Sequence, residues 1–291
     1  MLALGGKRMR PALLLMANEL FGGREEEAMP AALGIEVFHN FTLLHDDIMD
    51  KAPLRRGQAT VHTKWNPDIA ILSGDTMFVR SCQLVLQTPE RCRYQVMDDF
   101  FRTAAEVCEG QQLDMDFETR STVTIPEYIE MIGLKTAVLL GSALRIGSLI
   151  GGASAKDANH LYSFGKSLGI SFQLHDDLLD AFGDPEKFGK QVGGDIIANK
   201  KTFLLLSALE TATGSEAVEL KALLSGHEPD PEAKVAAVKS LFEQLGIRER
   251  TEQEINHYFD MALTELDAVP VDPSRKEPLR LLAEGLMVRE S

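Results

Sequence analysis

The sequence predicts an all-α protein, and three observations carry that expectation. Apolar residues recur at helical spacing along almost the whole chain, and prolines stand where first helical turns begin. Nowhere does an alternating apolar/polar run meet a two-residue hairpin signal, so strands have little support. Pro11–Phe21 (PALLLMANELF) is the first helix, opened by proline and closed by Gly22-Gly23. Pro30 to about Asp50 is the second, free of glycine and proline after Gly34. Further helical patterns cover roughly 67–86, 91–118, 126–150, 155–182, 200–212, 216–224, 231–245, 248–267 and 275–288. The breaks between them are too short for domain linkers, so a single domain over 1–291 is expected.

Composition narrows the function classes. The 291 residues carry 30 Lys+Arg against 44 Asp+Glu, a formal charge of −14. An acidic chain without a basic block is a poor nucleic-acid binder, because phosphate neutralisation needs clustered cations. Cys82, Cys92 and Cys108 form no CxxC pair and read as free thiols of a reducing compartment. No apolar run approaches the roughly 18 residues of a transmembrane helix, and no signal-peptide pattern opens the chain. A cytoplasmic location without a transmembrane segment is therefore expected.

One internal echo stands out. Leu44-His45-Asp46-Asp47-Ile48-Met49-Asp50 and Leu174-His175-Asp176-Asp177-Leu178-Leu179-Asp180 share five of seven residues, 130 positions apart. On a helix, Asp46 and Asp50 share one face, as do Asp176 and Asp180, and like charges so placed repel. A single such motif reads as a solvated acidic face. Two, each set among apolar residues, read as carboxylates that need a cation. Hard oxygen donors supplied one or two at a time, with room left for phosphate, suit Mg²⁺, and two such sets could hold several ions around one polyphosphate.

Cationic groups fit the same anion. Gly5-Gly6-Lys7-Arg8-Met9-Arg10 precedes the first helix, whose N-terminus favours negative charge. Arg55-Arg56-Gly57 follows the first acidic motif, Lys135-Thr136 interrupts an apolar helix, and Gly189-Lys190 and Lys200-Lys201-Thr202 follow the second. Two decoys fail. Gly183 to Lys190 resembles a phosphate-binding loop, but it has five residues between its glycines, no Ser/Thr after the lysine and no preceding strand. His45 and His175 lack the ExxH partners of a di-iron bundle and read as structural.

GGKRMRP, LLHDDIMDKAPLRRGQATVH, EGQQLD, LKTA, FQLHDDLLD and GKQVGGDIIANKKT occur in this order. Together they resemble the trans-isoprenyl diphosphate synthases of the polyprenyl synthetase family, over nearly the whole chain. That resemblance implies an isoprenoid-synthase-type helical bundle around a deep central cavity, usually a homodimer. It implies head-to-tail condensation of an allylic diphosphate (dimethylallyl, geranyl or farnesyl) with isopentenyl diphosphate, dependent on several Mg²⁺ ions, for which Mn²⁺ can substitute. By position, Asp46 and Asp50 resemble the family's metal ligands; Asp176 completes the cluster, with Asp180 supporting. Arg55, Lys135, Thr136, Gln173, Lys190 and Lys200 match contacts of the allylic diphosphate. Gly6, Lys7, Arg10, His39 and Arg56 match the isopentenyl diphosphate site, which in the family binds without metal. Phe172 is placed to face the developing allylic cation.

Product length is expected from the residues just ahead of Asp46. In the family these line the floor of the tail pocket, and here they are Thr42 and Phe41, with Phe38 one turn earlier. Phe41 stands about 7.5 Å along the helix axis from Asp46, and its ring should stop growth at a C15–C20 product, farnesyl or geranylgeranyl. The family's usual N-terminal helix ahead of GGKR is expected to be missing. Two other readings remain at this point: a class I terpene cyclase, disfavoured by the intact second motif together with Lys7, Arg10 and Arg56, and a noncatalytic regulatory subunit, disfavoured by two intact motifs.

Overall fold

The computed structural model describes residues 2, 5–183, 193–226 and 230–287. Fourteen α-helices are found among them: α1 (Met9–Leu20), α2 (Glu25–Met49), α3 (Val61–Lys64), α4 (Pro67–Val85), α5 (Glu90–Thr119), α6 (Ile125–Ile132), α7 (Val138–Gly151), α8 (Ala155–Phe182), α9 (Gly194–Ile197), α10 (Phe203–Thr211), α11 (Gly214–Leu224), α12 (Pro231–Gln244), α13 (Ile247–Ala268) and α14 (Pro273–Met287). The all-α expectation holds. Among the described residues, no helix is long and apolar enough to cross a membrane.

Local chemistry sets several of the starts. Asn66 accepts the Ile69 N–H ahead of Pro67, and Asp230 accepts the Glu232 N–H ahead of Pro231. Thr124 and Glu127 close a capping box on α6. The chain divides into two compact units. One comprises Met1–Ala105, Leu139–Gly165 and Glu265–Leu279; the other comprises Glu106–Val138, Lys166–Thr264 and Arg280–Ser291. In the first, α2 packs against α1 and α4, and Gly34 admits α4 so closely that a Cβ there would lie 2.6 Å from Val85. The second has its own core, which includes Tyr128, Ile132, Leu174, Leu204 and Phe242.

Four features depart from the expected elements. First, α2 starts at Glu25 with Pro30 inside it, since three glutamates in the first turn suit the positive helix end ahead of the proline. Second, Leu54-Arg55 and Gln58-Ala59 form a two-residue-loop hairpin, with Arg56 at φ +52° and Gly57 at φ +73°. Positive φ at both loop residues is the primed turn that matches strand twist, and Arg-Gly is an unusual spelling of it. Third, the expected helix over 126–150 is interrupted by a π-turn at Gly133–Ala137, which carries Lys135 and Thr136. Fourth, α10 starts at Phe203, so Lys200 and Lys201 precede it in irregular backbone that follows Asn199 at φ +51°.

Candidate active site

The first aspartate motif closes α2. Asp46 is partly buried in the last turn, and Asp50, exposed, is the C-cap. The negative end of the helix dipole meets both carboxylates there, and no basic residue stands in that turn. Asp47 points elsewhere. It is 3% exposed, and Arg55 Nε donates to its Oδ1 at 2.7 Å. Burial pushes the Asp47 carboxyl up, and the Arg55 bond works against that shift. The hairpin delivers Arg55 onto the motif while its turn places Arg56 apart.

Arg8, Arg10 and Arg56 gather around His39 in the same unit. Arg56 donates to the Gly5 carbonyl, and a Cβ on Gly6 would come within 2.8 Å of the Arg56 guanidinium. A side chain at position 6 would displace the guanidinium from this place. Arg10 Nη1 lies 3.2 Å from His39 Nε2. Burial, then the charges of Arg10, Arg56, Arg55 and Arg8, push His39 down to about 2, so its ring is neutral. Burial also lowers Arg10, to about 10. Lys7 is exposed, and Arg8, left-handed at φ +50°, pairs with Glu36. Such a concentration of positive charge around a neutral imidazole is arranged for an anion.

Behind the first motif is an aromatic wall. Phe41 packs on Phe38 (5.5 Å between ring centroids), Phe78 (5.3 Å) and His45 (4.8 Å, edge-on). Phe38, 1% exposed, also meets Phe100 edge-on at 5.3 Å. His45 occupies the space above Gly74, where a Cβ would collide at 2.2 Å, and stands 3.9 Å from Asp75. Its place is structural. Thr42 hydroxyl donates back to the His39 carbonyl along α2.

The second motif repeats the division of labour. Asp176 and Asp180 are partly buried near the C-terminal end of α8, where again the last turn has no basic residue. Asp177 is 4% exposed and accepts from Tyr128 hydroxyl and from Gln173 Nε2 at 3.1 Å. Burial raises its carboxyl to about 7 against the pull of Lys200 and Tyr128. Asp180 Oδ2 accepts the Asp195 N–H at 3.0 Å, and its carbonyl accepts the Gly193 N–H at 2.6 Å. That carboxylate anchors the start of α9. His175 is lowered by burial, as expected for a structural histidine.

The π-turn sets Lys135 and Thr136. Gly110 on α5 lies so close that a Cβ would fall 2.2 Å from the Lys135 nitrogen, and Gly169 on α8 would put one 2.7 Å from Ala137. Pressed from both helices, the turn presents Lys135 to Asp114 and Thr136 to Gln173, 3.5 Å from its Oε1. Lys200 stands 3.8 Å from Asp195, and Lys201 donates to the Phe117 carbonyl. Lys190 lies outside the described residues. Sequence reasoning did not single out Asp114, Tyr128, Phe78 or Phe100. The EGQQLD motif contained the first; the others make contacts that only the packed helices reveal.

Donor chemistry fits Mg²⁺. The carboxylates of the two motifs are hard oxygen donors on the C-terminal halves of α2 and α8. An ion held there takes further ligands from phosphate and water, which is the habit of magnesium.

Comparison with known proteins agrees with the architecture. The family model described as polyprenyl synthetase matches residues 1–244. A geranylgeranyl diphosphate synthase of Methanosarcina mazei is 40% identical over 289 residues, covering 98% of this chain and 86% of its own length. A geranylfarnesyl diphosphate synthase of Natronomonas pharaonis is 38% identical, with 81% and 73% covered. A solved geranylgeranyl pyrophosphate synthase superposes with a TM-score of 0.94 at 48% identity, covering 100% of this chain and 90% of that one. The protein belongs to the polyprenyl synthetase family and is a trans-prenyl diphosphate synthase.

Proposed function

We propose that the protein condenses an allylic diphosphate with isopentenyl diphosphate, with Mg²⁺ held by Asp46, Asp50 and Asp176, to give a C15–C20 product and pyrophosphate. The observation that carries this reading is that each i, i+4 carboxylate pair runs toward the C-terminal end of its helix, where the last turn has no basic residue. When bound, Mg²⁺ supplies positive charge to the departing diphosphate. Arg55, Lys135, Thr136, Gln173, Lys190 and Lys200 bind the same group and orient it for departure. Asp47 fixes Arg55, and Asp177 fixes Gln173, so two cores of buried polar bonds keep these donors in place. Gly6, Lys7, Arg10, His39 and Arg56 hold isopentenyl diphosphate. A neutral His39 accepts or donates there without opposing the anion's charge partners. The apolar surround excludes water from the allylic cation, and the second alkene attacks it before a proton is lost to pyrophosphate.

Phe41, braced by Phe38 and Phe78, is the expected limit to the growing tail. Relatives named for geranylgeranyl and geranylfarnesyl products support the upper end of the short-chain range, so geranylgeranyl diphosphate is the product we favour. The test is to incubate the purified protein with Mg²⁺, isopentenyl diphosphate and each allylic primer in turn, then size the products. Growth from the C5 primer to a sharp stop at C15 or C20 is expected. No consumption of isopentenyl diphosphate with any primer would refute the reading.

A homodimer is part of the same proposal. On α4 and its C-cap, Ile69, Leu72, Val79 and Leu86 form an exposed apolar line at helical spacing, and on α5 Tyr94 and Phe101 are exposed two turns apart. Patches of this kind on one chain fit a second copy. Light scattering should give twice the chain mass; a monomer at micromolar concentration would contradict it. Cys82 and Cys92, thiols outside any disulfide, support a reducing cytoplasmic setting.

A further inference from the structure

The segment carrying Lys200 is held at both ends by two adjacent residues of α12. At its start, Gly193, left-handed at φ +87°, rests on Val235, where a Cβ would lie 2.7 Å from Cγ2. At its end, Lys234 Nζ donates to the Ile197 carbonyl at 3.1 Å and to Asn199 Oδ1 at 2.6 Å. Lys234 is 6% exposed, so its ammonium is placed inside the fold instead of in water. Asn199 in turn donates from Nδ2 to the Leu224 carbonyl at 3.1 Å and holds φ +51°, the left-handed conformation that asparagine takes more readily than other non-glycine residues just past a helix. Directly after it the chain reverses: the Lys200 N–H bonds the Asp195 carbonyl at 2.9 Å, and the Thr202 N–H bonds the Lys200 carbonyl at 2.9 Å. The direction in which Lys200 leaves the backbone follows from the Asn199 turn, which these main-chain bonds close and which Lys234 grips through the Asn199 side chain.

We propose that Lys234 is a positioning residue for the allylic-diphosphate site, acting through Asn199 to aim Lys200. The proposal rests on the reading that Lys200 contacts that diphosphate. A buried lysine here does what a neutral side chain of equal length cannot: it satisfies two oxygens at the end of α9 at once, one of them the side chain that locks the turn. Asp180 of the second motif fastens the other end of the same helix, so the cation and the motif share one short rigid connector.

The test is steady-state kinetics on Lys234→Met, Asn199→Gly, Lys200→Ala and the Lys200→Ala/Lys234→Met double variant, with folding checked by circular dichroism. Asn199→Gly keeps the left-handed turn accessible but removes its lock, and it stands in if Lys234→Met does not fold. Lys234→Met and Asn199→Gly should each raise the KM for the allylic diphosphate on the order of tenfold and leave the KM for isopentenyl diphosphate unchanged. In the double variant the Lys234 change should add nothing to Lys200→Ala, because the group it aims is gone. An unchanged allylic KM in the folded variants, equal rises for both substrates, or additive effects would overturn the proposal. If Lys200→Ala itself leaves the allylic KM unchanged, the reading of Lys200 fails first and the proposal falls with it.

Discussion

Replacing Asp46 or Asp176 by alanine is expected to lower kcat by at least about 10³-fold, with circular dichroism and melting temperature close to the parent. The size follows from what the carboxylates are proposed to do. Leaving of diphosphate creates a strongly anionic group, and the ions that balance it stay only if their protein oxygens do. The intact fold follows from position. Asp46 stands in the last turn of α2, where a carboxylate opposes the dipole, and both side chains are only partly buried, so neither substitution empties a closed core site. Asp47→Ala and Asp177→Ala make the instructive contrast, since those side chains are buried and hydrogen-bonded to Arg55 and to Tyr128 and Gln173. They should lose stability as well as rate. Near-normal turnover in both Asp46→Ala and Asp176→Ala would reject the ligand assignment.

Phe41→Ala is expected to lengthen the product. The Phe41 ring is one member of a wall in which Phe38 and Phe78 stand behind and beside it, and Phe100 backs Phe38. Deleting the ring removes the member nearest the motif and leaves a gap that the fully buried Phe38 cannot collapse to fill. A tail that formerly stopped at the ring then extends into the gap, and growth ends at the next aromatic instead of running on. Chromatography of the products should show a main peak moved to the next longer chain, not a broad ladder. An unchanged distribution would mean that Phe41 does not limit the tail.

The two aspartate motifs could be read directly because the relevant geometry is local. An i, i+4 pair shares a helix face whatever the rest of the chain does, so Asp46 with Asp50, and Asp176 with Asp180, required no tertiary knowledge. Spacing alone left Asp47 and Asp177 off those faces without saying what they do; Arg55 and Tyr128, their partners, stand 8 and 49 residues away. The hairpin that carries Arg55 was hidden for a different reason. Its turn relies on positive φ at Arg56, a residue that does not advertise it, and its strands are two residues long. The π-turn at Lys135 was invisible because it is imposed by packing: Gly110 and Gly169 admit the neighbouring helices, and neither lies within the segment they distort. Lys200 was expected inside a helix, because nothing local distinguishes Lys200-Lys201 from a first turn until Lys234, more than thirty residues on, is seen locking Asn199. Placement set by spacing was legible; placement set by contact was not.

The central claim is that both aspartate motifs serve one magnesium-bound diphosphate. Calorimetric titration of inorganic pyrophosphate into the protein, with and without Mg²⁺, tests it most directly. The account predicts binding that requires Mg²⁺ in the parent and disappears in Asp46→Asn and in Asp176→Asn alike, while isopentenyl diphosphate binds each protein with or without the metal. Pyrophosphate binding of equal strength in the absence of Mg²⁺, or binding that survives loss of either motif, would contradict it.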